Sequence, residues 1–152
     1  MDFDRSRLRW GELIVAVGAI VLLASMLLLK WYGAGPTSVG GWNALTHIHW
    51  LLLVTILTGL ALVFFQATRP APAVPAALSV IVTVLGILTV VALVYRVAIA
   101  PPGAGDPRVG AFVALVSAIV LVYGGYRSMR EEGTGAQDAP SEIETVELDS
   151  VT

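Results

Sequence analysis

The chain has 152 residues, 57% of them hydrophobic and only 13% charged, where a soluble domain is nearer half apolar and a quarter charged. Its formal charge of −2 sums two unlike parts: seven of the 11 acidic residues lie from Glu131 to Asp149, and the remainder carries nine Lys+Arg against four Asp+Glu. No cysteine is present, which excludes disulfides, a lipid-modified N-terminal cysteine and thiolate metal sites.

The first apolar run is Leu13 to Leu29 (LIVAVGAIVLLASMLLL), preceded by Arg5, Arg7 and Arg9. A basic start followed by an apolar run also describes a signal peptide. This run is longer than the usual h-region of about 7–15 residues and no small-x-small site follows promptly, so an uncleaved helix is expected. Trp10 and Trp31 would stand about 32 Å apart on a helix, matching a hydrocarbon core of about 30 Å with an aromatic at each interface. Glu12, beside Arg9, is expected to form an interfacial ion pair with Arg9 or Arg5, which is worth little.

The stretch WYGAGPTSVGGWNALTHIHW, Trp31 to Trp50, follows; it holds three of the four tryptophans and both histidines. Gly33, Gly35 and Pro36 break the first helix, and Gly40-Gly41 offers a flexible turn. Trp42, Leu45 and His49 recur at i, i+3 and i+7, which predicts a short amphipathic helix in the interface or running into the next span. His47 and His49 would point to opposite sides of a helix. Two histidines with no nearby carboxylate do not make a tetrahedral zinc site. Ser38 or Thr46 would find no acid to orient a histidine base. With no charge between Lys30 and Arg69, the stretch reads as a cap on a bundle. It is also where a ligand would sit if there is one, in a pocket lined by Trp31, Tyr32, Trp42, Trp50 and Arg96.

Three further apolar runs complete the body: Trp50 to Phe65, extendable to Thr68; Val74 to Tyr95; and Val109 to Tyr126. All four runs are about 17 to 22 residues long with no charge inside, close to the roughly 20 a spanning helix needs. None has the polar face of a soluble helix, and in lipid a helix satisfies its backbone internally. RPAPA (Arg69 to Ala73) and APPGAGDPR (Ala100 to Arg108) are the short links, and Pro75 fits a first turn. Short links predict an all-α, up-down-up-down four-helix bundle, with spans near 11–30, 49–67, 74–97 and 109–127. With the N-terminus inside, Arg5, Arg7, Arg9, Arg69, Arg127 and Arg130 lie inside and only Lys30, Arg96 and Arg108 outside. The positive-inside rule therefore places both termini in the cytoplasm.

No ionisable residue lies in the middle of a span, which argues against a pump or ion-coupled transporter. Arg96, at the outer edge, is expected to snorkel or to pair with Asp106. Small residues recur at four-residue steps: Thr55 and Gly59; Ser79 and Thr83, then Gly86; Gly110, Ala114 and Ala118 with Ser117 beside them; the first helix has Gly18 and Ala24-Ser25. Such stripes pack helices within one chain or, most readily in the last helix, between copies. Residues 128–152 are expected to be an acidic, solvated cytoplasmic tail. The alternation of Ile143, Val146, Leu148 and Val151 with acids would also suit a strand added to a partner's sheet edge. Arg127 and Arg130 would meet the anionic inner leaflet.

The strings RWGELI, LLLKWYG, VYRVAIAPPG and YGGYRSMREEG, across about residues 7 to 133, resemble a set of small, uncharacterised four-helix membrane proteins of actinobacteria. The resemblance implies the fold and a bacterial cytoplasmic membrane, and the excess of eight Arg over one Lys hints at a GC-rich bacterial genome; it implies no activity. The expected function is that of a non-enzymatic structural or accessory subunit. A lipid or small-molecule binder is the alternative, and an oligomeric channel or transporter the weaker one. No metal, cofactor or nucleic acid is called for. The expected partners are membrane lipids, a second copy or a larger membrane complex.

Overall fold

The computed structural model describes residues 8–68, 73–103 and 105–131. The link at 69–72, Arg5, Arg7 and the acidic segment from 132 onward lie outside the described residues. The chain is mostly helical. Helices α1 (Trp10–Leu28), α3 (Ile48–Thr68), α4 (Ala73–Val94) and α5 (Val109–Glu131) account for the four apolar runs, and each is long and apolar enough to cross a membrane. A single helical turn, α2 (Gly41–Ala44), precedes α3, and a π turn, Tyr95–Ile99, ends α4. In that π turn the backbone N–H of Ala100 donates to the Tyr95 carbonyl at 2.8 Å, a loosening common where a helix gives out.

The all-α expectation needs one correction. Strands β1 (Lys30–Ala34), β2 (Thr37–Gly40) and β3 (Asp106–Pro107) form a small antiparallel sheet in the order β2-β1-β3. Gly35 and Pro36 make the hairpin turn, and Gly35 sits at φ +60°, a conformation glycine adopts freely and tight hairpins require. The Thr37 hydroxyl donates to the Ala34 carbonyl at 2.7 Å across that turn. The backbone N–H of Arg108 donates to the Trp31 carbonyl at 2.7 Å, and its guanidinium donates to the Gly35 carbonyl at 2.8 Å. The α4–α5 link is thereby stitched to the hairpin.

The bundle is centred on α5. Its buried face runs Gly110, Ala111, Ala114, Ser117, Ala118, Leu121, Gly124, Gly125 and Ser128, and it packs against both α1 and α4. A methyl added at Gly11 would lie 2.6 Å from the Ser128 nitrogen, and one at Gly110 would lie 2.6 Å from the Lys30 carbonyl oxygen. So α1 and α5 run antiparallel, the start of α1 against the end of α5 and the start of α5 against the first residue of β1. Gly86 faces Val122 and Gly125 faces Thr83, so α4 and α5 also run antiparallel. The small-residue stripe of α5 is buried inside the chain, against α1 and α4. Away from this core the helices expose large apolar side chains all round, such as Val17, Ile20, Leu57, Phe64, Val84, Leu88 and Val116. In water so much apolar surface would aggregate; in lipid it is solvated.

Helix α5 continues past Tyr126 by more than a turn. Arg127 and Glu131, four residues apart, pair at 2.9 Å and support the added turn.

Candidate functional site

At the sheet end, the five residues expected to line one pocket divide into two groups. Trp31 and Tyr32 are fully buried. The Trp31 indole N–H donates to the Ser25 carbonyl at 2.9 Å, and the ring lies over Gly41 and Gly110, where an added methyl would come within 2.6 Å of it. Trp31 is therefore not a belt tryptophan at the lipid boundary. It is a core residue that β1 turns back under the cap. The Gly40-Gly41 pair is likewise no flexible turn: Gly41 is buried because the indole leaves no room for a side chain.

Trp42 and Trp50 lie outside that core, 39% and 59% exposed. With His49 they form a surface aromatic trio: ring centroids are 4.8 Å apart for Trp42–His49, 5.2 Å for His49–Trp50 and 6.2 Å for Trp42–Trp50. Such edge and tilted contacts suit aromatic rings, and the indoles suit the headgroup level. The helix expected from Trp42 to His49 is broken. Leu45 is fully buried with φ −109° and ψ 71°, so the chain drops into the core there and α3 starts anew at Ile48. The backbone N–H of His49 donates to the Leu45 carbonyl at 3.1 Å, and its Nδ1 lies 2.5 Å from the same oxygen, which fixes the ring.

Arg96 is half-buried in the π turn, beside Tyr32. The Tyr32 hydroxyl donates to the Arg96 carbonyl at 3.4 Å, and the Arg96 guanidinium donates to the Ala100 carbonyl at 3.4 Å. The ion pair expected with Asp106 is not formed among the described residues; the guanidinium instead serves the loose carbonyls of its own helix end. Burial pushes the Tyr32 hydroxyl above the usual tyrosine range, and the Arg96 charge pulls it partly back.

At the opposite end Glu12 also bonds to α5, while its expected pairing with Arg5 lies outside the described residues. Glu12 is fully buried. Its carboxylate accepts the backbone N–H of Arg9, capping the first turn of α1, and accepts the Ser128 hydroxyl of α5 at 3.3 Å. The Arg9 guanidinium reaches past it to the Glu131 carbonyl. The Glu131 carboxylate receives Arg127 on one oxygen at 2.9 Å and the Gly11 backbone N–H on the other at 3.3 Å. These groups form a polar clasp between the first turn of α1 and the last turn of α5. Ser128 and Glu131 were not singled out by sequence; their spacing to the end of the apolar run was the available signal. Among the described residues, no group of three or more His, Asp or Glu comes together in a way that could hold a metal.

Comparison of the chain with protein-family models, with curated proteins and with solved structures gives no match.

Proposed function

We propose that this is a multi-pass protein of a bacterial cytoplasmic membrane, an up-down-up-down bundle with both termini inside, serving as a non-catalytic structural or accessory subunit. One observation carries the reading: three polar contacts inside the bundle cross from one helix to another, while the buried Ser79, Thr83 and Ser117 hydroxyls bond to their own helices. The Ser25 hydroxyl donates to the Gly110 carbonyl at 2.8 Å, Thr55 and Thr89 share a bond at 2.8 Å, and Glu12 ties α1 to α5. Such groups rigidify a bundle, and a rigid bundle with a capped end suits packing against a larger assembly. The resemblance to actinobacterial four-helix proteins agrees with this setting.

The test is purification from native membrane in mild detergent, with mass spectrometry of what travels with the chain. A stoichiometric protein partner is the expected result. A chain that runs alone and conducts ions in liposomes would overturn the reading. The exposed trio of Trp42, His49 and Trp50, with Arg96 at the same end, favours a second reading, a lipid or small-molecule binder. A bound small molecule lost on Trp42→Ala would establish that one instead.

A further inference from the structure

The end of α5 carries Tyr123, Tyr126, Arg127, Arg130 and Glu131 at steps of three and four, hence on one helical stripe. Together they line an open groove of about 400 Å³. Its charges are unequal in what they leave free. The Glu131 carboxylate is engaged on both oxygens, by Arg127 and by the Gly11 N–H. Arg130 is exposed and makes no hydrogen bond or ion pair among the described residues. Among the described residues, the groove therefore offers one uncommitted guanidinium, a second held alongside it, and two half-exposed phenols.

The stripe continues along the helix. Going back from Arg130 and Tyr126 through Tyr123, the same face presents Ile119, Val116 and Phe112, each at least half exposed. An apolar track of about 10 Å or more thus leads into a cationic groove walled by aromatic rings. A guanidinium binds phosphate through paired N–H donors, phenols sit at the headgroup level, and basic pockets on the cytoplasmic side of helices collect anionic headgroups.

We infer that this groove seats the phosphate of an anionic phospholipid, with an acyl chain lying along Phe112, Val116 and Ile119. The inference rests on the membrane-spanning reading above. It is tested separately from it, because detergent-free solubility would sink that reading before any lipid is measured. The full chain is purified in micelles doped equally with phosphatidylglycerol and phosphatidylcholine, washed, and its retained lipid measured by native mass spectrometry. Phosphatidylglycerol should be retained in preference. Arg130→Gln should lower its retention about fivefold, the contribution of one basic side chain at an anionic surface. Arg130→Lys should keep most of it. Lys30→Gln makes the same charge change at the sheet end and should leave retention unchanged. Equal retention of phosphatidylcholine would overturn the inference, as would an Arg130→Gln protein that behaves like Lys30→Gln. Release of the bound lipid by excess inorganic phosphate would also overturn it, by marking a free-anion site.

Discussion

Along α1 and α5 the backbones touch: a methyl at Gly11, Gly18 or Gly124 would come within about 3 Å of the other helix's backbone nitrogen, at 2.6, 3.0 and 2.7 Å respectively. Between α3 and α4 the corresponding tie is a pair of threonine hydroxyls, Thr55 and Thr89. Burial follows the same division, with 44% of the central residues buried in α1 and in α5 but 28% in α3 and 33% in α4. In lipid, apolar side chains gain little by leaving the acyl chains, so close approach through small residues and buried polar bonds must supply the association. The first and last helices have no short link to hold them, and closing a long loop costs entropy that their contacts must offset. Helices α3 and α4 follow one another in the chain within a few residues, so a weaker seam suffices. The strong seam lies where the chain connection is weakest.

The largest effect is expected where the strong seam meets the cap. Trp31→Ala removes a fully buried indole that fills the space between Gly41 and Gly110. It should cost about 4 kcal/mol, the usual loss for a buried tryptophan, read as reduced resistance to unfolding in detergent. A loss under about 1 kcal/mol would mean that the cap and the seam are independent. Next is Gly124→Val, which drives side-chain atoms against the Val15 backbone. Separation of α1 from α5 should cost about 2–3 kcal/mol. Gly103→Val is the matched control, since an added methyl there meets nothing within 4 Å. Equal effects of the two would remove the special standing of the α1–α5 contact.

Alkali tests the cap by another route. The buried Tyr32 holds its proton above the usual tyrosine range. In the unfolded chain that proton leaves at about pH 10. The stabilisation from keeping Tyr32 neutral and buried is therefore complete below about pH 10 and is lost as pH rises through the higher folded value. Phenolate absorbance should show a late step that is absent in Tyr32→Phe. If the late step survives that substitution, Tyr32 is not the shielded residue.

What sequence could and could not convey follows the range of the interactions. The four long helices were legible because each is a local property: an uncharged apolar run near 20 residues has one comfortable environment. The packing face of α5 was legible in part, as Gly110, Ala114 and Ala118 repeat at four-residue steps, although its continuation through Gly124, Gly125 and Ser128 was not read. The sheet was not legible. KWYGA and TSVG are short, and β1 takes its second partner from Asp106–Pro107, more than seventy positions away in the chain. Trp31 illustrates the cost. By helical rise from Trp10 it falls at a membrane boundary, but the hairpin folds it inward, and a belt residue becomes a core residue. Glu12 was placed correctly at the end of α1, yet its hydroxyl partner Ser128 lies on α5 and no local pattern announces it. The five pocket residues differ in burial, which no local pattern announces: Trp31 and Tyr32 are fully buried, Trp42 and Trp50 are exposed, and Arg96 meets Tyr32 through its carbonyl.

The smallest effect should come from the weak seam, and its asymmetry is informative. The Thr55 hydroxyl donates to the Leu51 carbonyl at 2.8 Å and also lies 2.8 Å from the Thr89 oxygen. A hydroxyl has one proton. With that proton committed to Leu51, Thr89 must be the donor between the helices and Thr55 the acceptor. Thr55→Val then removes the acceptor, and Thr89 can turn its proton to the Leu85 carbonyl one turn back. The cost should be about 0.6 kcal/mol, the average for a hydrogen bond between membrane helices. Thr89→Val should cost less still, because Thr55 keeps its bond to Leu51. Unfolding in detergent of the two single variants and the double variant measures the coupling directly. If Thr55→Val costs as much as Gly124→Val, the α3–α4 contact is no weaker than the α1–α5 contact, and the difference between the two seams must be sought in the loops rather than in the side chains.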